Sequence, residues 1–490
     1  MVFREDLFAD YNCLTTAEGL LSAGKENEIV TFDMFFREIP DKGGFAIMAG
    51  LENLCQKLQD LSFDEDVLGY LSEQGFSEKL IEYLRNFKFS CDVYAMPEGT
   101  PVFPNEPIVK VCGPALQAQL IETLLLNTIN YQTLIATKAN RISRASSGKR
   151  VIEMGARRAH GFDAAIDGAR ASYIGGVDAT SLLPAARKYN IPVATMMGHG
   201  WVQLFDSELE AFKAYLEEHG DDGALLVDTY DTLGSGIKNA IEAFNQVLVP
   251  KGLRPAGVII DSGDMTYLSK RARRMLDEAG FPDCDIYASN SLDEILIKDM
   301  LNQGAKIDGF IIGEKLVTSS SSPVLDGVYK LCETEKNGQK VPAIMLSNNV
   351  NKITTPCSKR VWRLFDMETG KAIADVLTTD SESIGEEKTY SLFDPDFTWK
   401  RKTVDNFVAR EMLVCIFREG KLVYENPSLE EIKAYCNEQV ASLWEEVVRF
   451  ENPHRYYVDF SGKLWGIKQS LIEKIMHEND EAVEDYVRKV

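Results

Sequence analysis

Three observations predict an α/β protein built on an irregular parallel α/β barrel. Short apolar runs recur in series from about residue 150 to about residue 315. Each run passes into a polar or glycine-rich turn and then a helical stretch. The polar motifs all follow their strands, so a barrel would gather them on one rim. A doubly wound parallel sheet is the alternative arrangement of the same units. At 490 residues the chain exceeds one ordinary core. The reading divides it into an N-terminal α+β domain (1–125), the barrel (126–350) and a C-terminal α+β extension (351–490).

In the first part, Thr15-Thr-Ala-Glu18 fits a capping box opening a short helix. The run Glu28–Ile39 partly alternates apolar and polar residues and reads as a strand. Residues 43–61 read as a turn into a helix, and 64–85 as two short helices. From Phe87 to Cys112 the chain is β-rich and broken by Pro97, Pro101, Pro104 and Pro107. Ala115–Ala145 carries a long helical pattern.

The barrel units follow. Val151-Ile-Glu-Met154 leads into Gly155-Ala-Arg-Arg158, and Tyr173-Ile174 into Gly175–Ser181. Val193-Ala-Thr195 leads to His199, and Leu225-Leu-Val227 into Asp228-Thr-Tyr-Asp231. Val258-Ile-Ile260 leads into Asp261-Ser-Gly-Asp264, Ile286-Tyr-Ala288 into Ser289-Asn290, and Phe310-Ile-Ile312 into Gly313-Glu-Lys315. Beyond residue 350, Trp362–Leu377 and Phe407–Tyr424 read as antiparallel strands. Ser428 and Glu431 cap a helix reaching about Phe450, and the acidic tail is helical.

The formal net charge of −22 argues against a nucleic-acid surface, which needs clustered Lys and Arg. Nine scattered cysteines without a CxxC pair point to free thiols in a reducing cytoplasm and to no structural zinc. Met1–Asp6 lacks the pattern of a secretory signal, and no apolar run reaches membrane-spanning length.

His199 is one of five histidines and stands just past a predicted strand, where a parallel α/β fold carries its chemistry. An imidazole there is a candidate nucleophile or acid–base group, or a loop residue with a hydrogen-bonding role. Asp261 and Asp264 can hold ribose hydroxyls or Mg²⁺, although acidic turns are common after strands. Asp228 and Asp231 form a second acidic turn, which also fits a helix N-cap at Asp231. Arg157, Arg158 and Arg170 are placed on two of the same loops, as anion binders or surface ion-pair partners. The turn Gly313–Ser322 can cradle a phosphate with backbone N–H groups or form a flexible serine-rich loop. The residues alone thus describe a barrel enzyme for anionic, phosphorylated substrates with Mg²⁺.

From about Asp10 to Thr355 the chain resembles the nicotinate phosphoribosyltransferase family. The resemblance is carried by Asp10–Thr15, Phe35–Pro40, Gly44–Gly50, Pro97–Pro107, Glu122–Asn127, Leu134–Lys138, Gly155–Ala159, Leu226–Asp231, Asp261–Asp264 and Gly327–Leu331. It implies transfer of a phosphoribosyl group from 5-phosphoribosyl 1-diphosphate to nicotinate. The products are nicotinate mononucleotide and diphosphate, with coupled ATP hydrolysis, in recycling of nicotinate to NAD. It also implies a cytoplasmic homodimer whose active site is completed by the partner's N-terminal domain.

The resemblance further implies residue roles. His199 is the group phosphorylated by ATP. Tyr11 of the partner subunit stacks on the pyridine ring, with Arg157 near that ring and Arg170 near the phosphates. Asp261 and Asp264 engage the ribose or the Mg²⁺ of the diphosphate substrate. Gly313 and Gly327 hold the 5′-phosphate, and Ser262, Gly263 and Asn290 complete the substrate-binding set. Ser181 stands where relatives using nicotinamide carry an aspartate. A serine hydroxyl can donate to a carboxylate, which favours nicotinate.

Four positions depart from the family pattern. Ile259 replaces an arginine that faces the nicotinate carboxylate, and Glu314 replaces a threonine. Asp326-Gly327 replaces a glycine pair, and Met196 a threonine. Other readings are a relative using another pyridine base, a metal-dependent barrel hydrolase, or a degenerate homologue that binds nucleotides. Ser181 speaks against nicotinamide and His199 against quinolinate. The scarcity of histidines and the lack of HxH or HExxH spacing speak against the hydrolase.

Overall fold

The computed structural model describes residues 8–489 except Thr195, 350–351 and 386–388, with side chains up to His477. Thr195, the end of one predicted strand, and the Met1–Asp6 start lie outside the described residues. The chain forms two compact units. One comprises Met1–Thr133, Val324–Ser428 and Ala434–Val490, and the other Leu134–Pro323 with Leu429–Lys433.

The second unit holds an all-parallel six-stranded sheet. Its spatial order is Ala179–Thr180, Arg150–Glu153, Gly309–Ile312, Asp285–Ala288, Gly257–Ile260 and Ala224–Leu226. Gly257–Ile260 and Gly309–Ile312 are buried at every position. Strands covered on both faces read as continuous apolar runs rather than alternating ones. The fold is therefore α/β with an irregular, incomplete barrel. Among the described residues, no pairing joins the Val193 edge to Ala224–Leu226; Val193 touches the sheet through one parallel bridge to Thr180.

Two of the seven predicted strand units are corrected here. Tyr173-Ile174 is the end of the helix Phe162–Ile174, not a strand. Its buried Ala165, Gly168, Ala169 and Ser172 lie on one helical face, and this spacing outweighs the β propensity of two residues. The strand is instead Ala179–Thr180, too short and too polar in its surroundings to show as an apolar run. The run at Val193 contributes only its single bridge.

The first unit is antiparallel except where Ala372–Thr379 pairs in parallel with Val458–Phe460. Its largest sheet runs Gln339–Pro342, Val328–Lys336, Ile29–Phe35, Val109–Pro114, Asp92–Ala95, Val414–Arg418 and Lys421–Leu422. A four-stranded sheet adds Phe407–Glu411, Lys359–Asp366, Ala372–Thr379 and Val458–Phe460. Early and late segments thus share one sheet: Val414 lies opposite Ala95 and Phe32 opposite Leu331. The helix expected within 43–61 is Leu51–Gln59, the two within 64–85 are Glu65–Glu73 and Glu78–Arg85, and the long pattern at 115–145 forms two helices, Ala115–Leu120 and Glu122–Ala145. Asp64 and Ser77 cap two of them by accepting from Val67 and Leu80 amides.

Candidate active site

The strands of the second unit run parallel, so the turns after their carboxyl ends share one rim. A cavity of about 360 Å³ opens there, a size suited to a small organic ligand. Its wall comes from three of these turns, from Leu226 at the end of its strand, and from His199 and the run preceding it.

His199 opens the short helix His199–Gln203, after an extended Gly198. Trp201 anchors that helix: its indole N–H donates to the Ala211 carbonyl at 3.0 Å, and its ring packs on Phe205 and Tyr215. The imidazole is half-exposed with two different neighbours. Nδ1 lies 3.2 Å from the Thr229 hydroxyl, and Nε2 lies 3.8 Å from Asp261 Oδ2. The hydrogen bond at one nitrogen sets the tautomer and so decides which nitrogen carries the nucleophilic lone pair.

Both acidic turns are present. Asp228 is buried, and its Oδ2 accepts from the Asp261 amide at 3.0 Å and the Ser262 hydroxyl at 2.6 Å. Its Oδ1 is buried without a hydrogen-bond partner. Asp261 is thereby held with its own carboxylate in the cavity wall. Asp264 caps the helix Met265–Glu278, accepting from the Tyr267 amide at 3.0 Å. Asp231 accepts likewise from the Gly234 amide at 2.8 Å, as the N-cap reading of that turn expects. Gly263, at φ +83°, lets the turn between Asp261 and Asp264 bend where a side chain is strained.

On another side of the cavity stand Met154, Arg157 and Ser181. Arg157 and Arg158 lie in the single turn Ala156–Arg158, which follows strand Arg150–Glu153. Beneath them Glu153 is buried. Its carboxylate accepts from the Gly155 amide and the Thr180 hydroxyl, both at 2.5 Å. Burial pushes this carboxyl above the usual carboxylate range, opposed by those two hydrogen bonds. Gly155 has no room for a side chain. A Cβ there would lie 2.8 Å from Val317 Cβ and 2.9 Å from the Gly313 carbonyl.

Glu314 is not an unopposed carboxylate. It accepts from the Ser291 hydroxyl at 2.7 Å and lies 3.9 Å from the Arg158 guanidinium. Asn290 and Ser291 both adopt positive φ. The serine-rich segment is ordered: Ser319 is buried and bonds the Ser322 carbonyl, while Ser321 accepts from Lys138 at 2.8 Å. Lys138 and Arg141 both reach the buried Glu294.

Arg170 requires a correction. It is not on a rim loop but inside the helix Phe162–Ile174, fully buried, with its guanidinium 5.3 Å from the Tyr189 ring centre. Gly327 belongs to the other compact unit. There a Cβ would fall 2.0 Å from Asn130 Oδ1, a steric reason for glycine independent of any phosphate. Tyr11, also in that unit, is 62% exposed with one face near Phe76. Ile259 is buried in its strand, and Arg157 lines the cavity instead. Met196 and Met197 line it beside His199.

The sequence reading missed Thr229 and Glu153 as site-forming residues. Thr229 was visible as the hydroxyl inside an acidic turn. Glu153 was visible as a charge closing a buried apolar strand, a position that needs a partner. Among the described residues no cluster of three or more His, Cys, Asp or Glu side chains is arranged for a metal. A single cavity carboxylate, Asp261, suits Mg²⁺ carried in on substrate phosphates, since that ion commonly takes one or two carboxylates and keeps the rest of its shell for phosphate and water. No helix of the described residues is long and apolar enough to cross a membrane.

Comparison with known proteins places this architecture. Residues 7–130 match the nicotinate phosphoribosyltransferase N-terminal domain, and residues 358–468 the C-terminal domain of the same enzyme. The chain is 41% identical over 487 residues to the nicotinate phosphoribosyltransferase of Bacillus subtilis (strain 168), covering 99% of both. It is 32% identical to the Dictyostelium discoideum enzyme, over 96% of this chain and 88% of that one. The crystal structure of human nicotinic acid phosphoribosyltransferase superposes with a TM-score of 0.81 at 27% identity, covering 94% and 99% of the two chains. With its sheet, its rim of turns and these full-length similarities, the chain belongs to the nicotinate phosphoribosyltransferase family.

Proposed function

We propose that this family member joins nicotinate to 5-phosphoribosyl 1-diphosphate, couples the transfer to ATP hydrolysis through phosphorylation of His199, and supplies nicotinate mononucleotide for NAD. The observation that carries this reading is the placement of His199. The imidazole stands half-exposed in the cavity wall, with Thr229 on one nitrogen and Asp261 facing the other. A ring nitrogen with a free lone pair can attack the γ-phosphate of ATP, and the resulting phosphoimidazole makes the next step favourable.

In the transfer itself, the bond from ribose C1 to the diphosphate loosens before the pyridine nitrogen bonds. Catalysis then rests on holding both partners in line and on neutralising the leaving group. Arg157 faces the base, and Ser181 offers a hydroxyl to its carboxylate. Asp261 takes the ribose hydroxyls or the Mg²⁺ of the diphosphate, with Ser262, Gly263 and Asp264 extending the same turn. Gly313 and Asn290 place backbone groups for the 5′-phosphate. Mg²⁺, when bound, neutralises charge on the diphosphate. Tyr11 of a second copy covers the pyridine ring, making the working unit a homodimer.

The test is product formation by the purified protein with Mg²⁺, phosphoribosyl diphosphate and either nicotinate or nicotinamide, each with and without ATP. ATP-stimulated mononucleotide from nicotinate is expected, together with acid-labile, base-stable phosphate on His199. His199→Ala is expected to abolish ATP coupling and leave only slow transfer. Full coupling in that variant overturns the phosphohistidine.

A further inference from the structure

We infer that Glu153 is a positioning residue for base recognition, the buried tie that fixes the spacing between the Arg157 turn and the Ser181 turn. The inference rests on the reading that this side of the cavity takes nicotinate. Its ground is geometric. One residue meets both turns three times: Oε1 accepts from the Gly155 amide, Oε2 accepts from the Thr180 hydroxyl, and its backbone carbonyl accepts from the Ser181 amide at 3.0 Å. The Thr180 hydroxyl in turn accepts from the Leu182 amide at 3.0 Å, so the bracing continues past Ser181.

A plain sheet contact does not need this carboxylate. The backbone register already pairs Ile152 with Ala179 and Glu153 with Thr180. What the side chain adds is a tie to the Gly155 amide, beyond the end of its own strand, and to the Thr180 hydroxyl next to Ser181, whose amide the backbone ladder already holds. Gly155 begins the turn that presents Arg157, and Thr180 immediately precedes Ser181. On its far side Gly155 abuts Val317 and the Gly313 carbonyl with no space for a Cβ. The arginine turn is thus clamped between Glu153 and the Gly313 turn, and cannot shift toward either without breaking a contact. A buried carboxylate in an apolar strand is costly, and two short hydrogen bonds are what make it tolerable. Tying two recognition groups to a fixed separation is the return on that cost, because a planar carboxylate is bound well only when both its partners are in place.

Three variants test the tie by steady-state kinetics on the full-length protein. Glu153→Gln keeps the volume but offers an N–H₂ where one acceptor stood. Thr180→Val removes a single hydroxyl, and Thr180→Ser retains it. Each is first checked for a cooperative thermal transition. Glu153→Gln and Thr180→Val are each expected to raise the nicotinate KM about tenfold and to narrow the preference for nicotinate over nicotinamide. The KM for phosphoribosyl diphosphate and for ATP should move less than about twofold, since those contacts lie on other turns. Thr180→Ser should restore the wild-type values. The double variant Glu153→Gln/Thr180→Val should be no worse than either single one, because both break one link. An unchanged nicotinate KM in folded Glu153→Gln and Thr180→Val overturns the inference, as does an equal rise for all three substrates. If Glu153→Gln does not fold, the Thr180 pair decides alone. Wild-type protein that makes no nicotinate mononucleotide would instead overturn the functional reading on which the inference rests.

Discussion

The turns Asp228-Thr-Tyr-Asp231 and Asp261-Ser-Gly-Asp264 follow neighbouring strands and look alike in sequence, yet their first aspartates do opposite work. Asp228 points inward. It is buried and spends Oδ2 on the amide and hydroxyl that open the other turn. Asp261 points outward into the cavity, 3.8 Å from His199. The fourth positions behave alike, with Asp231 and Asp264 each accepting an amide three residues on. Spacing explains the likeness: a residue three before a helical amide is placed to cap it. Layering explains the difference: one turn is held by the other, so the inner carboxylate positions and the outer one lines the cavity.

This comparison can be broken experimentally, and the largest effect is expected at the outer carboxylate. Asp261→Asn should lower kcat by about 10²–10³ while leaving folding intact, as loss of one transition-state electrostatic contact does. A fall of less than about threefold would remove Asp261 from the chemistry. The inner carboxylate should matter less and differently. Asp228→Asn can keep its one oxygen on both donors but loses the charge and buries an NH₂ where Oδ1 has no partner, so kcat should fall about tenfold together with a measurable loss of thermal stability. If its effect exceeds that of Asp261→Asn, the inner and outer assignments are reversed.

The fourth positions sharpen the comparison further. Asp264→Ala should cost about 1 kcal/mol through its lost cap, whereas Asp264→Asn, which can still cap, should not. Any rise in the phosphoribosyl diphosphate KM of Asp264→Asn therefore reports ligand contact and not helix stability. Asp231→Ala should be the mildest: a similar stability loss of about 1 kcal/mol and a kcat/KM within about twofold of wild type, read from urea unfolding and initial rates.

Much of this site could be read from sequence because parallel strands announce themselves. The runs at 151–154, 225–227, 258–260, 286–288 and 310–312 are apolar over three or more residues, and the chemistry follows directly after each. The two acidic turns were found by that rule, and His199 by following the run at Val193, which forms only a single bridge. It failed where the strand was too short to carry a pattern, as at Ala179–Thr180, and where a helix happened to end in Tyr-Ile. Arg170 was misplaced for the same reason, since the mistaken strand displaced its helix. The sheet shared by early and late segments was invisible, because pairing of Val414 with Ala95 leaves no trace within either segment. Glu153 and Thr229 were missed because their roles depend on a neighbour distant in sequence, not on their own spacing.

The single bridge between Thr180 and Val193 has a consequence for amide exchange. Strands such as Gly257–Ile260 are bonded on both sides and open only when much of the sheet opens. The segment leading to His199 is held on one side, by two backbone bonds linking Thr180 to Pro192 and Ala194. Its local opening is correspondingly cheap, and the Ala194 amide should exchange with deuterium far faster than those of the strands beside it. His199 therefore follows a segment held to the sheet on one side, and occupancy of the cavity can be followed by the slowing of exchange there.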